Sequence, residues 1–164
     1  MKEADRKKRN DDRLTELFPT FGARLRKVIG ALEKGGIRPR IQDAWRSPAD
    51  QKKAFDSGHS KLLFGFHNVT APDGTPEGLA VDLLDDDSPL SPGNAYLLRL
   101  AAEAEKAGLM TGVRWGVPNK LIVAIDQAIA DKDWNANVKI GWDPTHVQPT
   151  DVTVAQAKAG RRPA

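Results

Sequence analysis

The chain has 164 residues, 40% of them apolar and 29% charged, an ordinary composition for one soluble globular domain with a real core. Lys+Arg of 25 against Asp+Glu of 22 leaves a net charge of +3, too small to indicate nucleic acid and suited to weak attraction to an anionic surface such as a carboxylate-rich cell wall. There is no cysteine and there are only three histidines, so disulfides and thiolate metal sites are excluded and any transition metal must be held by His, Asp or Glu.

Residues 1 to about 12 are polar and read as frayed. The charged opening, Met1 to Arg9, is followed by no apolar run of the signal-peptide kind. No stretch approaches the ~20 apolar residues that cross a bilayer. The expectation is a monomer made in the cytoplasm, without membrane insertion. Phe21, Leu25, Val28, Ile29 and Leu32 then fall on one helical face, and Gly35-Gly36 ends that helix. Arg24, Arg26, Lys27 and Lys34 read as its solvated side. Arg40 to Trp45 reads as a short strand. Ser47-Pro48-Ala49-Asp50 opens a helix, with Ser47 at the N-cap, Pro48 in the first turn and Asp50 completing a capping box. Arg46 therefore stands at a strand-to-helix junction, with Gln51 one turn on.

From His59 to Glu77 no long periodic element is visible. Pro72, Asp73-Gly74 and Pro76 mark Asn68 to Glu77 as a loop. Leu79 to Leu84 reads as a buried strand, ended by Asp85-Asp86-Asp87. Those three acids read as a solvated turn in preference to a calcium site. Ser91-Pro92 reads as the start of a helix carrying Tyr96, Leu97, Leu100, Ala101 and Ala104 and stopping at Gly108. Residues 118 to 131 suggest another, with Leu121, Ile122, Ile125 and Ile129 on one side. Trp142 to Gln148 reads as a turn and a short strand, and the tail from Thr150 to Ala164 as loosely packed. No repeat or composition shift marks a second domain, so residues 1–164 are expected to form one domain with its core at about 14–150.

Two imidazoles and two carboxylates stand out, at His67, Asp82, Asp143 and His146. His67, Asp82 and His146 would form an N/O set around one zinc with a fourth position left open, as catalytic zinc sites have. Asp143, three residues before His146, would lie beside the metal and be free to act as a base. Plainer readings stand beside these. His59 reads as a surface histidine, Asp82 could cap a turn, and Asp143-Pro144 could be a turn. Arg46 could be a surface charge and Gln51 a helix-face residue. Trp115 and Trp142 could belong to the core or to a cleft wall. A carboxylate at the end of an apolar strand is costly to bury alone, which favours a partner for Asp82.

In this order the motifs resemble peptidase family M15, the VanY-like zinc peptidases that include D-Ala-D-Ala carboxypeptidases, L-alanyl-D-glutamate endopeptidases and phage endolysins of that type. Arg46, Ser47 and Gln51 match the family's Arg-Ser with a Gln five residues after the Arg. His67, then Gly78, Ala80 and Asp82, match its His and Gly-x-Ala-x-Asp. Asp143 and His146 match its closing acid-x-x-His, and Arg114-Trp115-Gly116 resembles the aromatic segment before it. The match covers about residues 14–150 and lies in motif order.

The resemblance implies a small α+β domain, with helices packed on a short antiparallel sheet that carries the ligands. It implies a Zn2+ ion held by His67, Asp82 and His146, with Asp143 as catalytic base. Arg46 would face developing negative charge or a substrate carboxylate, and Gln51 would orient substrate amides. The implied substrate is the peptidoglycan stem peptide, reached after release of the protein to the wall. An Asp before the last His is similar to the L-alanyl-D-glutamate endopeptidase branch. A D-Ala-D-Ala carboxypeptidase and a non-catalytic zinc-containing wall-binding module are the alternatives. Two departures are visible. The His and Asp positions lie 15 apart, separated by the Asn68 to Glu77 loop, which is expected to be mobile and to edge the cleft. Gly65 stands where the family commonly has a Ser.

Overall fold

A computed structural model describes all 164 residues. In chain order its elements are α1 (Glu3–Leu14), α2 (Pro19–Lys34), β1 (Pro39–Asp43), α3 (Pro48–Asp56) and a 3-10 turn (Phe66–Asn68). There follow β2 (Val81–Asp85), α4 (Asn94–Lys106), β3 (Leu109–Gly112), α5 (Asn119–Asp131), β4 (Asp143–Pro149) and α6 (Val154–Lys158). The strands form one sheet in the order β1-β2-β4-β3, with every neighbouring pair antiparallel. This is the α+β arrangement that the resemblance implies.

One face of the sheet carries the core. Phe21, Leu25, Val28 and Leu32 of α2 pack with Ile41, Val81, Leu83 and Val147 of the sheet and with Leu97, Leu100 and Ala104 of α4. A fully buried side chain of this size contributes roughly 1.5–3 kcal/mol. That burial fixes the register of β2, because a one-residue slip would turn Val81 and Leu83 outward and Asp82 inward. The same alternation delivers Asp82 to the opposite face. A smaller cluster joins Leu98 and Ala101 of α4 to Val113, Val117 and to Ile125 and Ala128 of α5.

Local signals explain most of the helix ends. The Ser47 side chain accepts from Asp50 N at 3.1 Å, and Pro48 stands in the first turn, so α3 begins where its capping pattern places it. The helix of α2 stops before Gly36, whose φ is +80. The α4 helix begins at Asn94, not at Ser91, and its N-cap is Gly93 with no side-chain cap. Leu121 of α5 is exposed, and Ile125 and Ala128 form its buried stripe instead.

Both ends of the chain differ from the sequence reading. Residues 3–14 are helical, not frayed, because α1 is held by polar anchors. Arg6 is 1% exposed; it donates to the Pro39 carbonyl (2.5 Å) and pairs with Glu3 (2.6 Å) and Glu33 (2.8 Å). The Asn10 side chain bridges to β1 through Pro39 O and Ile41 N. The tail is packed rather than loose. Arg24 pairs with Asp151, Thr20 donates to the Pro163 carbonyl, and Arg162 pairs with Glu77 at 2.6 Å. Thr153 and Gln156 form a reciprocal capping box that starts α6.

The Asp85 to Asp87 acids are neither fully solvated nor grouped for a cation. Asp86 is buried against Arg38 and Arg40 (both 3.1 Å), and Asp87 pairs with Arg38 at 2.7 Å.

Candidate functional site

The polar face of the sheet lines up three carboxylate and imidazole positions. Asp43 of β1 is paired with Asp82 of β2, and Asp82 is paired with His146 of β4. Directly opposed residues of antiparallel strands present their side chains on the same face. His67 reaches this row from the 3-10 turn, held by two backbone bonds, Arg46 N to His67 O (2.8 Å) and Leu79 N to Phe66 O (2.9 Å).

One atom from each of His67, Asp82 and His146 lies within 4.8 Å of the others. His67 Nε2 is 3.9 Å from Asp82 Oδ2, and His146 Nδ1 is 3.7 Å from Asp82 Oδ1. The side chains are largely screened from solvent, at 14%, 28% and 12% exposure. A tetrahedral zinc with ligands at 2.0–2.2 Å holds them roughly 3.3–3.5 Å apart, so each histidine need close on Asp82 by only a few tenths of an ångström, and the three atoms, all within 4.8 Å of one another, draw in further to complete the set. The second ring nitrogens are already fixed. His67 Nδ1 donates to the Ala44 carbonyl at 2.6 Å, and His146 Nε2 lies 2.9 Å from Gln148 Oε1. Those contacts leave Nε2 of His67 and Nδ1 of His146 facing the centre, the outer-shell arrangement typical of metal-bound histidine. The donor set and its supports fit a zinc ion.

Asp143 stands beside this set. Its Oδ2 is 3.8 Å from His146 Nδ1. Burial pushes its carboxyl above the ordinary range; His146 and His67 oppose this, and Asp82 adds to it. Asp82 is also desolvated, yet His146 and His67 hold it below the ordinary carboxylate range. Burial works against a charged His146, but Asp82 and Asp143 raise its pKa overall. Two neighbouring carboxylates are thus driven in opposite directions, the pattern that separates a ligand-like anion from a proton acceptor.

The backbone around Asp143 is held by close approach. A Cβ at Gly112 would lie 2.0 Å from the Asp143 carbonyl oxygen, and one at Gly141 would lie 2.2 Å from the Gly112 oxygen. Only glycine lets β3, β4 and the Trp115 turn converge this tightly. The junction also seats two aromatic rings. Trp115 lies 5.3 Å from both the His146 and the Trp142 rings, centroid to centroid.

The cleft over this centre is lined by Arg46, Gln51, Leu62, Trp115, Trp142 and Val154 together with the four site residues. Arg46 is partly exposed and braced; its Nη2 donates to Asp43 (2.6 Å) and its Nη1 to Gln51 Oε1 (2.9 Å). Gln51 is 4% exposed, and its Nε2 donates to Ser60 Oγ (2.8 Å) and the Leu62 carbonyl (2.5 Å). Both ends of its carboxamide are therefore engaged within the protein. That places Gln51 under Arg46 and the 60–62 segment, where it fixes both.

Trp115 and Trp142 line the cleft wall, one of the two places the sequence left open for them. The rim of the cleft differs from the sequence reading. The loop from Asn68 to Glu77 does not edge the cleft, apart from Asn68 itself. It folds back as a small hairpin, bridged at Thr70 and Pro76, and Arg162 ties it towards the C-terminal tail. The rim is formed instead by His59 to Leu62. No periodicity marks that stretch, so nothing in the sequence alone set it apart. Gln148 was also missed, although strand alternation puts it two residues from His146 on the same face.

No protein-family model matches the sequence, and no curated protein matches it. Among solved structures, the chain is similar to the L-Ala D-Glu endopeptidase ChiX of Serratia marcescens. The TM-score is 0.55 at 19% identity, over 87% of this chain and 86% of that one. VanYB in complex with D-alanine-D-alanine matches at TM-score 0.45 and 16% identity, over 84% of this chain and 72% of that one. The LdcB LD-carboxypeptidase matches at TM-score 0.44 and 19% identity, over 87% and 62%. The chain and ChiX share a fold.

Proposed function

We propose that the chain is a zinc-dependent peptidoglycan peptidase that cuts the stem peptide as an L-alanyl-D-glutamate endopeptidase, in the manner of an endolysin. The observation that carries this reading is the convergence of His67, Asp82 and His146 with Asp143 beside them on the floor of one cleft. The ChiX fold and that protein's named activity support it by analogy.

A zinc ion held by His67, Asp82 and His146 would supply Lewis acidity, activating a water and polarising the scissile carbonyl. Asp143 Oδ2, beside the metal-facing nitrogen of His146, accepts the proton that the attacking water gives up. The same oxygen then returns the proton to the leaving nitrogen. The acyl half departs as a carboxylate and the other half as an amine. The bonds of His67 Nδ1 to Ala44 O and of His146 Nε2 to Gln148 orient the two rings so that the opposite nitrogens face the centre as ligand atoms. Arg46, fixed by Asp43 and Gln51, faces the cleft as a cation for a substrate carboxylate or for charge developing on the carbonyl oxygen.

No helix is long and apolar enough to cross a membrane. The reading places the protein at the cell wall, where its substrate lies. The test is digestion of purified peptidoglycan followed by mass analysis of the new ends. Free D-glutamyl amines paired with L-alanyl carboxyl ends support the endopeptidase. Release of D-alanine instead assigns a carboxypeptidase. Tight binding to the wall with no new ends assigns a non-catalytic module.

A further inference from the structure

Trp142 is 72% exposed, although it stands at the cleft rim directly before Asp143. Its indole is not adrift. It lies over Gly116, where a Cβ would meet Trp142 Cδ1 at 3.1 Å, and it packs against Trp115. The ring is therefore seated on one side and open on the other. An indole held open at the mouth of a cleft offers its free face to an apolar-faced, flat occupant.

We infer that Trp142 is a stacking platform for a pyranose ring of the glycan strand, so that this cleft takes a saccharide together with the peptide. The inference rests on the peptidoglycan reading above. It follows from what that polymer contains. The stem peptide offers small or charged side chains, alanine, glutamate and a diamino acid among them, and none of these matches an exposed indole. The sugar rings are the flat, apolar-faced groups available.

Two successive ring-to-ring steps of 5.3 Å lead from His146 through Trp115 to Trp142. A sugar on Trp142 therefore lies close to the reacting centre.

The test uses two soluble substrates, the disaccharide tetrapeptide and the same tetrapeptide without sugar, with the zinc-loaded protein and its Trp142→Ala and Trp142→Tyr variants. The readout is the ratio of kcat/KM for the two substrates. The wild type is expected to favour the sugar-bearing one, and Trp142→Ala to lower that preference by about three- to tenfold, as loss of an aromatic contact would. Trp142→Tyr should keep part of it. A preference unchanged in Trp142→Ala overturns the inference, as does equal loss on both substrates. A second arm is independent of turnover: saturation-transfer NMR of the N-acetylglucosaminyl-N-acetylmuramic acid disaccharide with metal-free protein. Ring-proton signals from the disaccharide should appear with the wild type and vanish with Trp142→Ala. If the wild type cuts neither substrate, the peptidase reading fails, and the NMR arm alone then upholds or overturns the stacking site.

Discussion

Replacing Gly112 by alanine should disable the site without changing any of its functional side chains chemically. The added methyl would sit 2.0 Å from the Asp143 carbonyl oxygen, 2.7 Å from its carbonyl carbon and 2.9 Å from Trp115 Cε3. The oxygen belongs to backbone paired in register with Gly112, so no flexible side chain can move aside. Relief needs a shift of about 1 Å between β3 and β4. Overpacking of this kind costs about 1–3 kcal/mol, and a contact against backbone belongs at the upper end. For a chain of this length that lowers Tm by roughly 5–12 °C, since each kcal/mol shifts Tm by about 2–4 °C. The same shift carries Asp143 and Trp115 out of position, and a 1 Å misplacement costs on the order of 10²-fold in turnover. Gly30→Ala is the control. A Cβ at Gly30, within α2, meets nothing within 4 Å, so alanine there should raise stability by up to about 1 kcal/mol. The assays are thermal melting by circular dichroism and turnover of peptidoglycan for both variants. A Gly112→Ala protein that melts and turns over like the wild type would refute the argument that this close approach holds Asp143.

Three further outcomes follow from named contacts. Gln51→Ala removes the brace on Arg46 and on the 60–62 segment, so turnover should fall about ten- to a hundredfold while zinc content, measured by atomic absorption, stays at the wild-type level. Arg6→Ala strips α1 of its bonds to Glu3, Glu33 and the Pro39 carbonyl, and chemical denaturation should show a loss of about 2–3 kcal/mol, less than for a pair buried on both sides because the two glutamates remain partly solvated. The Arg24 guanidinium holds the Asp151 carboxyl at about 2, below its ordinary value. A depressed carboxylate stabilises the fold above its unfolded pKa of about 3.9 and loses that contribution as pH falls towards about 2. Stability against pH should therefore drop more steeply in that window for the wild type than for Asp151→Asn, and parallel curves would contradict the pairing.

Much of the site was legible because histidine is scarce in the sequence and the acids that matter stand in short motifs beside it or on an apolar strand. Two of the three histidines, one acid within an apolar strand and one acid before the last histidine come together over one sheet face. The apolar spacing of α2 and the Ser-Pro start of α3 likewise reached the fold intact. Elements that lack an apolar stripe did not. The buried face of α1 is Arg6, Asn10 and Leu14, a helical spacing carried mainly by polar residues, so hydrophobic periodicity is blind to it. Four-residue β3 and five-residue α6 are too short to show a period. The cleft rim at His59 to Leu62 is set by Gln51 reaching across nine and eleven positions, a tertiary contact with no local signature. The direction of the Asn68 to Glu77 loop is set by Arg162, 85 residues beyond Glu77.

The central claim is a division of labour in which His67, Asp82 and His146 hold the metal and Asp143 moves the proton. Zinc content and peptidoglycan turnover, measured together on Asp143→Asn and His146→Ala, test it most directly. Asp143→Asn keeps shape and volume, so it should bind one zinc per chain and lose about 10²–10⁴-fold in turnover, the range for removal of a general base. His146→Ala should lose both metal and activity. A zinc-loaded Asp143→Asn protein with wild-type turnover, an Asp143→Asn protein without zinc, or a His146→Ala protein with stoichiometric zinc would each contradict the assignment.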